Sequence, residues 1–212
     1  MSLKAVIFDY GKVLCQPQPV AIVESVVARL GVGPERYAEA YARFRGEYDR
    51  GTLDDVAYWQ AVAGDCGRTI EPAAAAELAD LDARGWSYPN RPLVEWAGRL
   101  RRAGFKIGIV SNMQRSLRRR LGELCPWLPP TDAAVFSSDI GFIKPEPEMY
   151  HRVLAQLAAR PAEALFIDDV EANVVVAREL GLRALRFTDV AALGRDLAAF
   201  PELPALDAPT PV

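Results

Sequence analysis

Lys4-Ala5-Val6-Ile7-Phe8-Asp9 is a short apolar run closed by a carboxylate, and the pattern recurs along the chain. Residues 106–110 (KIGIV), 133–137 (AAVFS), 164–167 (ALFI) and 184–187 (ALRF) have the same build. None alternates polar with apolar, as expected of strands in a parallel sheet covered on both faces. Helical patterns lie between the later runs. Residues 92–103 are followed by Gly104 in the C-cap place, and residues 147–159 and 171–180 are similar, with Gly181 closing the last. Strand and helix in alternation predict an α/β fold with right-handed crossovers.

The stretch after the first run breaks this rhythm. Residues 17–30, 34–50, 53–64 and 72–84 each have an amphipathic helical pattern, and Gly and Pro separate them. The expected architecture is therefore a Rossmann-like parallel sheet core, residues 1–15 and 88–205, with an inserted helical module over 16–87. The Pro- and Ala-rich segment from Pro201 is expected to fray, with 206–212 as a flexible tail.

Composition removes several function classes. Half of the 212 residues are hydrophobic and a quarter charged, enough for a real core. A net charge of -3 offers no basic excess for nucleic acid. No apolar run approaches the roughly 20 residues of a membrane helix, and no signal peptide opens the chain. Cys15, Cys66 and Cys125 are odd in number and lie at no motif spacing, which fits a reducing cytoplasm. His151 is the one histidine, so a histidine metal site is excluded.

The polar residues fall at the strand ends: Asp9, Ser111-Asn112, Ser137-Ser138-Asp139, Asp168-Asp169 and Thr188-Asp189. In an open parallel sheet, ligands bind beyond the carboxyl ends of the strands. Asp9, Ser111 and the Asp168-Asp169 pair are thus expected in one crevice. Helix capping is the competing reading. It suits Ser111 or Asp189, but not an adjacent acidic pair, because a cap uses one carboxylate. Three carboxylates together either rise in pKa or bind a cation. Hard oxygen donors without a Cys or His cluster favour Mg²⁺. Beside Mg²⁺, a carboxylate can act as a nucleophile on phosphorus or carbon, with a lysine offsetting charge on the transferred group.

Four segments in order resemble the motifs of the haloacid dehalogenase superfamily of hydrolases. They are Val6-Ile7-Phe8-Asp9-Tyr10-Gly11-Lys12-Val13-Leu14, Ile109-Val110-Ser111-Asn112, Ser138-Asp139-Ile140-Gly141-Phe142-Ile143-Lys144-Pro145 and Phe166-Ile167-Asp168-Asp169-Val170-Glu171-Ala172-Asn173. The resemblance covers nearly the whole chain, and it makes the inserted helices similar to a small cap over the site. It implies that Asp9 is the nucleophile that forms an aspartyl-phosphate. Ser111 then hydrogen-bonds the phosphoryl group, and Lys144 offsets charge. Asp169 and Asp9 hold Mg²⁺, Asp168 reaches it through water, and Gly11 gives a backbone carbonyl. Asn112 and Lys12 join Ser111 and Lys144 as substrate contacts.

Gly11 departs from the pattern, because most phosphatases of the family carry there a second Asp that acts as general acid and base. Three readings follow: substrates with good leaving groups, a proton from another source (Tyr10, Lys12, a cap residue or the substrate through water), or slow turnover. A DxG start is similar to a sub-group of sugar-phosphate phosphatases and epoxide-hydrolase-associated domains. The expected function is Mg²⁺-dependent removal of phosphate from a small phosphorylated metabolite, without nucleic-acid or membrane partners, by a cytoplasmic monomer or weak homodimer. The alternatives are a binding module that keeps the Mg²⁺ site, and metal-free dehalogenation. The acidic pair and Gly11 argue against the latter.

Several residues have plainer readings. The arginine-rich stretch 115–120 (RSLRRR) reads as a solvated helix face, given the net charge. Gly31-Val32-Gly33 follows a helix and lacks the third glycine of a dinucleotide loop. Tyr58 and Trp59 read as packing, and Asn173 as a hydrogen-bonding support for the acidic pair.

Overall fold

A computed structural model describes residues 2–206. Five parallel strands, β1 (Ala5–Phe8), β2 (Lys106–Ser111), β3 (Ala133–Phe136), β4 (Ala164–Asp168) and β5 (Arg183–Arg186), lie in the order β3-β2-β1-β4-β5. The fold is the expected α/β, Rossmann-like sheet. The chain builds outward from β1 to one side, then returns to its other side. This reversal places the switch point, where a ligand crevice opens, at the carboxyl end of β1. Phe8 is level with Ile109 on β2 and Ile167 on β4, so the residues just past those three positions end side by side.

Helices α1 (Val20–Leu30), α2 (Pro34–Arg43), α3 (Arg45–Arg50), α4 (Asp55–Asp65) and α5 (Pro72–Gly85) follow β1. The remaining helices are α6 (Arg91–Arg102) before β2, α7 (Arg115–Leu124) after it, α8 (Ser137–Ile140) and α9 (Pro147–Leu157) between β3 and β4, α10 (Glu171–Glu179) before β5, and α11 (Val190–Asp196). No described helix is long and apolar enough to cross a membrane.

Successive strand residues feed opposite faces. Val6, Phe8, Ile107, Ile109 and Ile167 join Trp96 and Leu100 of α6 and Leu117 of α7. Ile7, Val110 and Phe166 join Tyr150, Val153 and Leu157 of α9. Both faces are dry, which is why the strands show no polar alternation. The inserted helices pack around a cluster of their own, with Val26, Tyr37, Tyr58, Trp59, Val62 and Leu78 inside. Tyr58 and Trp59 are fully buried there.

Some sequence expectations shift. The helix expected over 34–50 breaks at Phe44 (φ -101°, ψ 0°) into α2 and α3. Gly46, a weak helix former, follows the break, and the new direction stacks Tyr48 on Tyr58 with ring centroids 4.0 Å apart. Ser137, expected to end a strand, instead starts α8. The segment from Pro201, expected to fray, is anchored as far as Leu206. Leu203 is buried, the Trp96 indole donates to the Pro204 carbonyl at 2.8 Å, and Leu206 packs on the core. The rest of the expected tail, 207–212, lies outside the described residues.

Two paired extended segments join the inserted helices to the sheet. Gln16 N donates to Tyr88 O at 2.7 Å, and Asn90 N donates to Leu14 O at 2.8 Å. Ion pairs add a second connection. Arg119 meets Asp55 at 2.8 Å, Arg120 meets Asp80, and Arg50 meets Glu146 at 2.7 Å. The arginine-rich stretch is thus an exposed helix face, as read, and two of its side chains also hold the inserted helices.

Gly108, in mid-strand, decides how closely α9 packs. A Cβ there would stand 3.1 Å from Leu157 Cδ1 and 3.2 Å from both Ile7 Cγ1 and Val153 Cγ2. Gly108→Val is expected to cost about 1–3 kcal/mol by overpacking. Urea denaturation checks this, and an unchanged midpoint would show that α9 moves aside freely.

Candidate active site

Asp9 is the first residue past β1, and its amide still donates to Ile167 O at 2.8 Å. That bond sets it beside Asp168, the last residue of β4. One oxygen each from Asp9, Asp168 and Asp169 lie within 4.8 Å of one another. Lys144 enters between two of them. Its Nζ is 2.6 Å from Asp9 Oδ1 and 2.7 Å from Asp168 Oδ2. Asp9 Oδ1 also accepts from the Tyr10 amide at 2.7 Å. Asp168 is wholly buried and has further donors: the Val170 amide at 2.8 Å, and Asn173 Nδ2 at 3.0 and 3.1 Å from its two oxygens.

These charges do not balance locally, since three carboxylates face one buried ammonium. Burial pushes Asp9 up to about 7. Lys144 opposes that rise, while Asp168 and Asp169 add to it. Burial and the neighbouring Asp168 likewise hold Asp169 above the usual carboxylate range. For Lys144, burial favours the neutral amine, but Asp168 and Asp9 outweigh it and hold the ammonium above its ordinary value. A cluster of hard oxygens with surplus negative charge fits a divalent cation such as Mg²⁺.

Lys144 is delivered by a loop, and Asn112 at the end of β2 grips that loop. Asn112 Oδ1 accepts from Lys144 N at 2.7 Å, and its Nδ2 donates to Lys144 O at 3.1 Å. The Asn112 amide, expected to meet substrate, is thus used on the backbone of Lys144. Lys12 has φ 59°, the left-handed region that costs a non-glycine residue about 1–2 kcal/mol. This turn brings its ammonium 3.8 Å from Asp169 Oδ2.

A cavity of about 460 Å³ opens above the cluster. Gly11, Lys12, Ser111, Asn112 and Asp169 line its core side. Asp9 and Lys144, both nearly buried, lie beneath. The inserted helices supply Tyr41, Arg45 and Asp49, and Trp86 follows directly after them. Gly11, Lys12, Ser111, Asn112 and Asp169 thus border one space, and Asp9, Asp168 and Lys144 form the buried cluster that Asp169 joins. Asp139, although at a strand end, turns away and pairs with Arg118 at 2.8 Å. His151 is exposed on α9, away from the cavity.

Trp86, Tyr41 and Gln114 were missing from the sequence reading. The four-residue spacing Tyr41, Arg45, Asp49 was the available signal, because it puts three polar groups on one helical side. Nothing in the local sequence marks Trp86 or Gln114. Arg45 lies between Asp49 and Asp82. Its Nε donates to Asp49 Oδ2 at 2.9 Å, its Nη1 is 3.5 Å from Asp82 Oδ2, and its Nη2 donates to Gln114 Oε1 at 2.7 Å.

Comparison with known proteins shows the family. A family model described as haloacid dehalogenase-like hydrolase matches residues 3–181. The chain is a haloacid dehalogenase-like hydrolase. The hydrolase is 32% identical to bifunctional epoxide hydrolase 2 of Mus musculus over 96% of its own length. It spans only 41% of that relative, so it corresponds to part of the larger protein. It is 31% identical to phosphatase MT3486 of Mycobacterium tuberculosis (strain CDC 1551 / Oshkosh), over 87% of each chain. The fold of the hydrolase is similar to a HAD family enzyme, bt-2542, of Bacteroides thetaiotaomicron, solved in complex with magnesium and inorganic phosphate. The TM-score is 0.69 at 18% identity, covering 91% of the hydrolase and 99% of that chain.

Removing the ammonium from this cluster tests its structural weight. Lys144→Met leaves Asp168 and Asp9 buried without their shared partner. It is expected to destabilise the hydrolase by about 3 kcal/mol, the cost of breaking a buried charge pair from one side. A chemical denaturation midpoint equal to that of the unmodified chain would contradict this.

Proposed function

We propose that the hydrolase removes phosphate from a small phosphorylated metabolite through an aspartyl-phosphate on Asp9. The observation that carries this reading is the juxtaposition of three carboxylates within 4.8 Å with a lysine shared by Asp9 and Asp168. Asp9, Asp168, Asp169 and the Gly11 carbonyl are the groups that would hold Mg²⁺, which when bound offsets charge on the phosphoryl group.

The chain's own residues account for the remaining work. Lys144 and the Tyr10 amide hold Asp9 Oδ1, which fixes the carboxylate and leaves Oδ2 to attack phosphorus. The Lys144 ammonium and the Ser111 hydroxyl stabilise charge on the transferring oxygens. In this reading residues 16–87 act as a cap on the core of 1–15 and 88–205. The cap roofs the cavity and keeps bulk water from the phosphoryl group. A cavity of about 460 Å³ suits a small metabolite. A sugar phosphate is the first candidate, on the DxG start. The relatives from Mycobacterium tuberculosis and Aspergillus oryzae, the latter 26% identical, are phosphatases by name.

Phosphate release from a panel of phosphorylated metabolites, with Mg²⁺ and with EDTA, tests the proposal. Release is expected to need the metal and to vanish in Asp9→Asn. Release that survives in Asp9→Asn, or none from any member, would overturn it. Halide release from a 2-haloacid without metal would instead support dehalogenation.

The raised Asp9 value gives a second check. Between its ordinary 3.8 and about 7, the metal-free fold keeps a proton that the unfolded chain has lost. The stability contributed by this group is full below that window and is lost as pH rises through it. A cation binds the deprotonated form. The rise in Tm given by Mg²⁺ is therefore expected to be larger at pH 8 than at pH 6. Equal shifts at both values would contradict this account.

A further inference from the structure

An alkyl phosphate expels a poor leaving group, and a positioned acid that protonates its oxygen is typically worth about 10²–10⁴ in rate. Position 11 cannot be that acid in this chain. A Cβ built on Gly11 would meet Trp86 Cζ3 at 3.7 Å, so the indole borders the space that a side chain there would take.

The other titratable groups lining the cavity are few: Tyr10, Lys12, Tyr41, Arg45, Asp49 and Asp169. Tyr10 turns its hydroxyl to Trp86 O at 2.6 Å and Cys125 Sγ at 3.0 Å, and burial raises it far above the phenol range. The Tyr41 hydroxyl donates to Asp82 Oδ1 at 2.8 Å and accepts from Arg45. Lys12 is more than half exposed and pairs with Asp169, which belongs to the carboxylate cluster. An arginine does not give up its proton.

Asp49 is different. It is 7% exposed, on α3, and its position is tied to the core because Ser137 Oγ donates to its backbone carbonyl at 2.5 Å. Arg45 orients its carboxyl group. Both oxygens stand 2.9 Å from Arg45 Nε, yet buried Oδ1 accepts no aligned hydrogen bond. The same guanidinium is shared with Asp82, which has three further donors: the Tyr41 hydroxyl and the amides of Gln18 and Gln114, each at 2.8 Å. The two carboxyls are thus unequally served, and Asp49 is the less satisfied. Burial raises Asp49 and Asp82 adds to that rise. Arg45 opposes them, and the net position stays above the usual carboxylate range.

We propose that Asp49 of the cap is the general acid and base of this hydrolase, doing from above the work that position 11 cannot do from below, with Arg45 as its positioning residue. As Asp9 Oδ2 bonds to phosphorus and the bridging P–O bond breaks, the Asp49 carboxyl proton moves to the departing oxygen. An alcohol leaves and Asp49 becomes a carboxylate. In the second half, that carboxylate takes one proton from a water whose oxygen bonds to phosphorus. The P–O bond to Asp9 then breaks, which releases phosphate and restores both carboxyl groups.

This inference rests on the phosphatase reading of Asp9, and leaving-group dependence separates the two. Asp49→Asn keeps the shape and the Arg45 contact but carries no transferable proton. The kcat/KM of primary alkyl phosphates, which reports departure of the alcohol, is expected to fall about 100-fold. The kcat/KM of acetyl phosphate, whose leaving group needs no proton, is expected to fall less than about 3-fold, while kcat falls on both substrate classes because water attack on the shared aspartyl-phosphate loses its base. A thermal melt of the variant confirms that it folds. A variant that does not fold is replaced by Asp49→Glu, expected to keep alkyl phosphate turnover within about 10-fold. Equal losses of kcat/KM on both substrate classes would assign Asp49 a structural role. No loss on either would remove it from the reaction, as would an unmodified chain that accepts acetyl phosphate but no alkyl ester. Each of these overturns the inference while leaving Asp9 as nucleophile. An unmodified chain that releases no phosphate from any substrate overturns the reading of Asp9 and this inference together.

Discussion

The ammonium of Lys144 lies between Asp9 and Asp168, and the buried carboxylates that the sheet brings together depend on that bridge. β1 and β4 must end level, because their backbones are hydrogen-bonded as far as Asp9. Level ends force two buried carboxylates together, and the third, Asp169, follows directly. Without a cation of some kind, such a cluster would neutralise itself by taking up protons, at a cost in stability or function. Lys144 supplies one positive charge permanently. The remaining negative charge favours a second cation at the site.

Neighbouring features follow from the need to place that lysine. It sits on a loop, and loops are inexact unless gripped. Asn112 grips this one by both backbone atoms of residue 144, and the cis Lys144–Pro145 bond lies just beyond. Asn173 holds Asp168 from the other side. Ser137 accepts from the Met113 amide and donates to the Asp49 carbonyl through one hydroxyl, so the end of β2 and α3 share an anchor.

Many of the contacts between the inserted helices and the sheet core are charged. Arg45, Arg50, Asp55 and Asp80 meet Gln114, Glu146, Arg119 and Arg120 across the boundary, whereas most buried apolar side chains of residues 16–87 stay in their own cluster, with Ala83 and Trp86 packed on the core. Exposed ion pairs contribute little net energy each. An interface built from them is more easily opened than a dry one. Arg45 is the exception. It is mostly buried and shared between two carboxylates, so it fixes geometry where chemistry needs it.

Much of this was readable from residue order alone. Strand and helix periods are local, and they marked the strands and the insertion. The aspartates, Ser111 and the lysine stood at strand ends or in short motifs, where local pattern and chemistry agree. The frayed end was misread because Leu203 and Pro204 owe their order to Trp96, a hundred residues away, and composition carries no trace of that contact. The single helix over 34–50 was misread because tertiary stacking of Tyr48 on Tyr58 favours a break that propensity marks only faintly. Sequence by itself thus determined the fold class, the acidic cluster and the absence of a carboxylate at position 11. The tertiary structure alone decided that β1 stands at the switch point, which carboxylates share Lys144, and that Asp49 hangs over the cavity. Those outcomes depend on the angle of α3 and on contacts between distant segments, which no local period encodes.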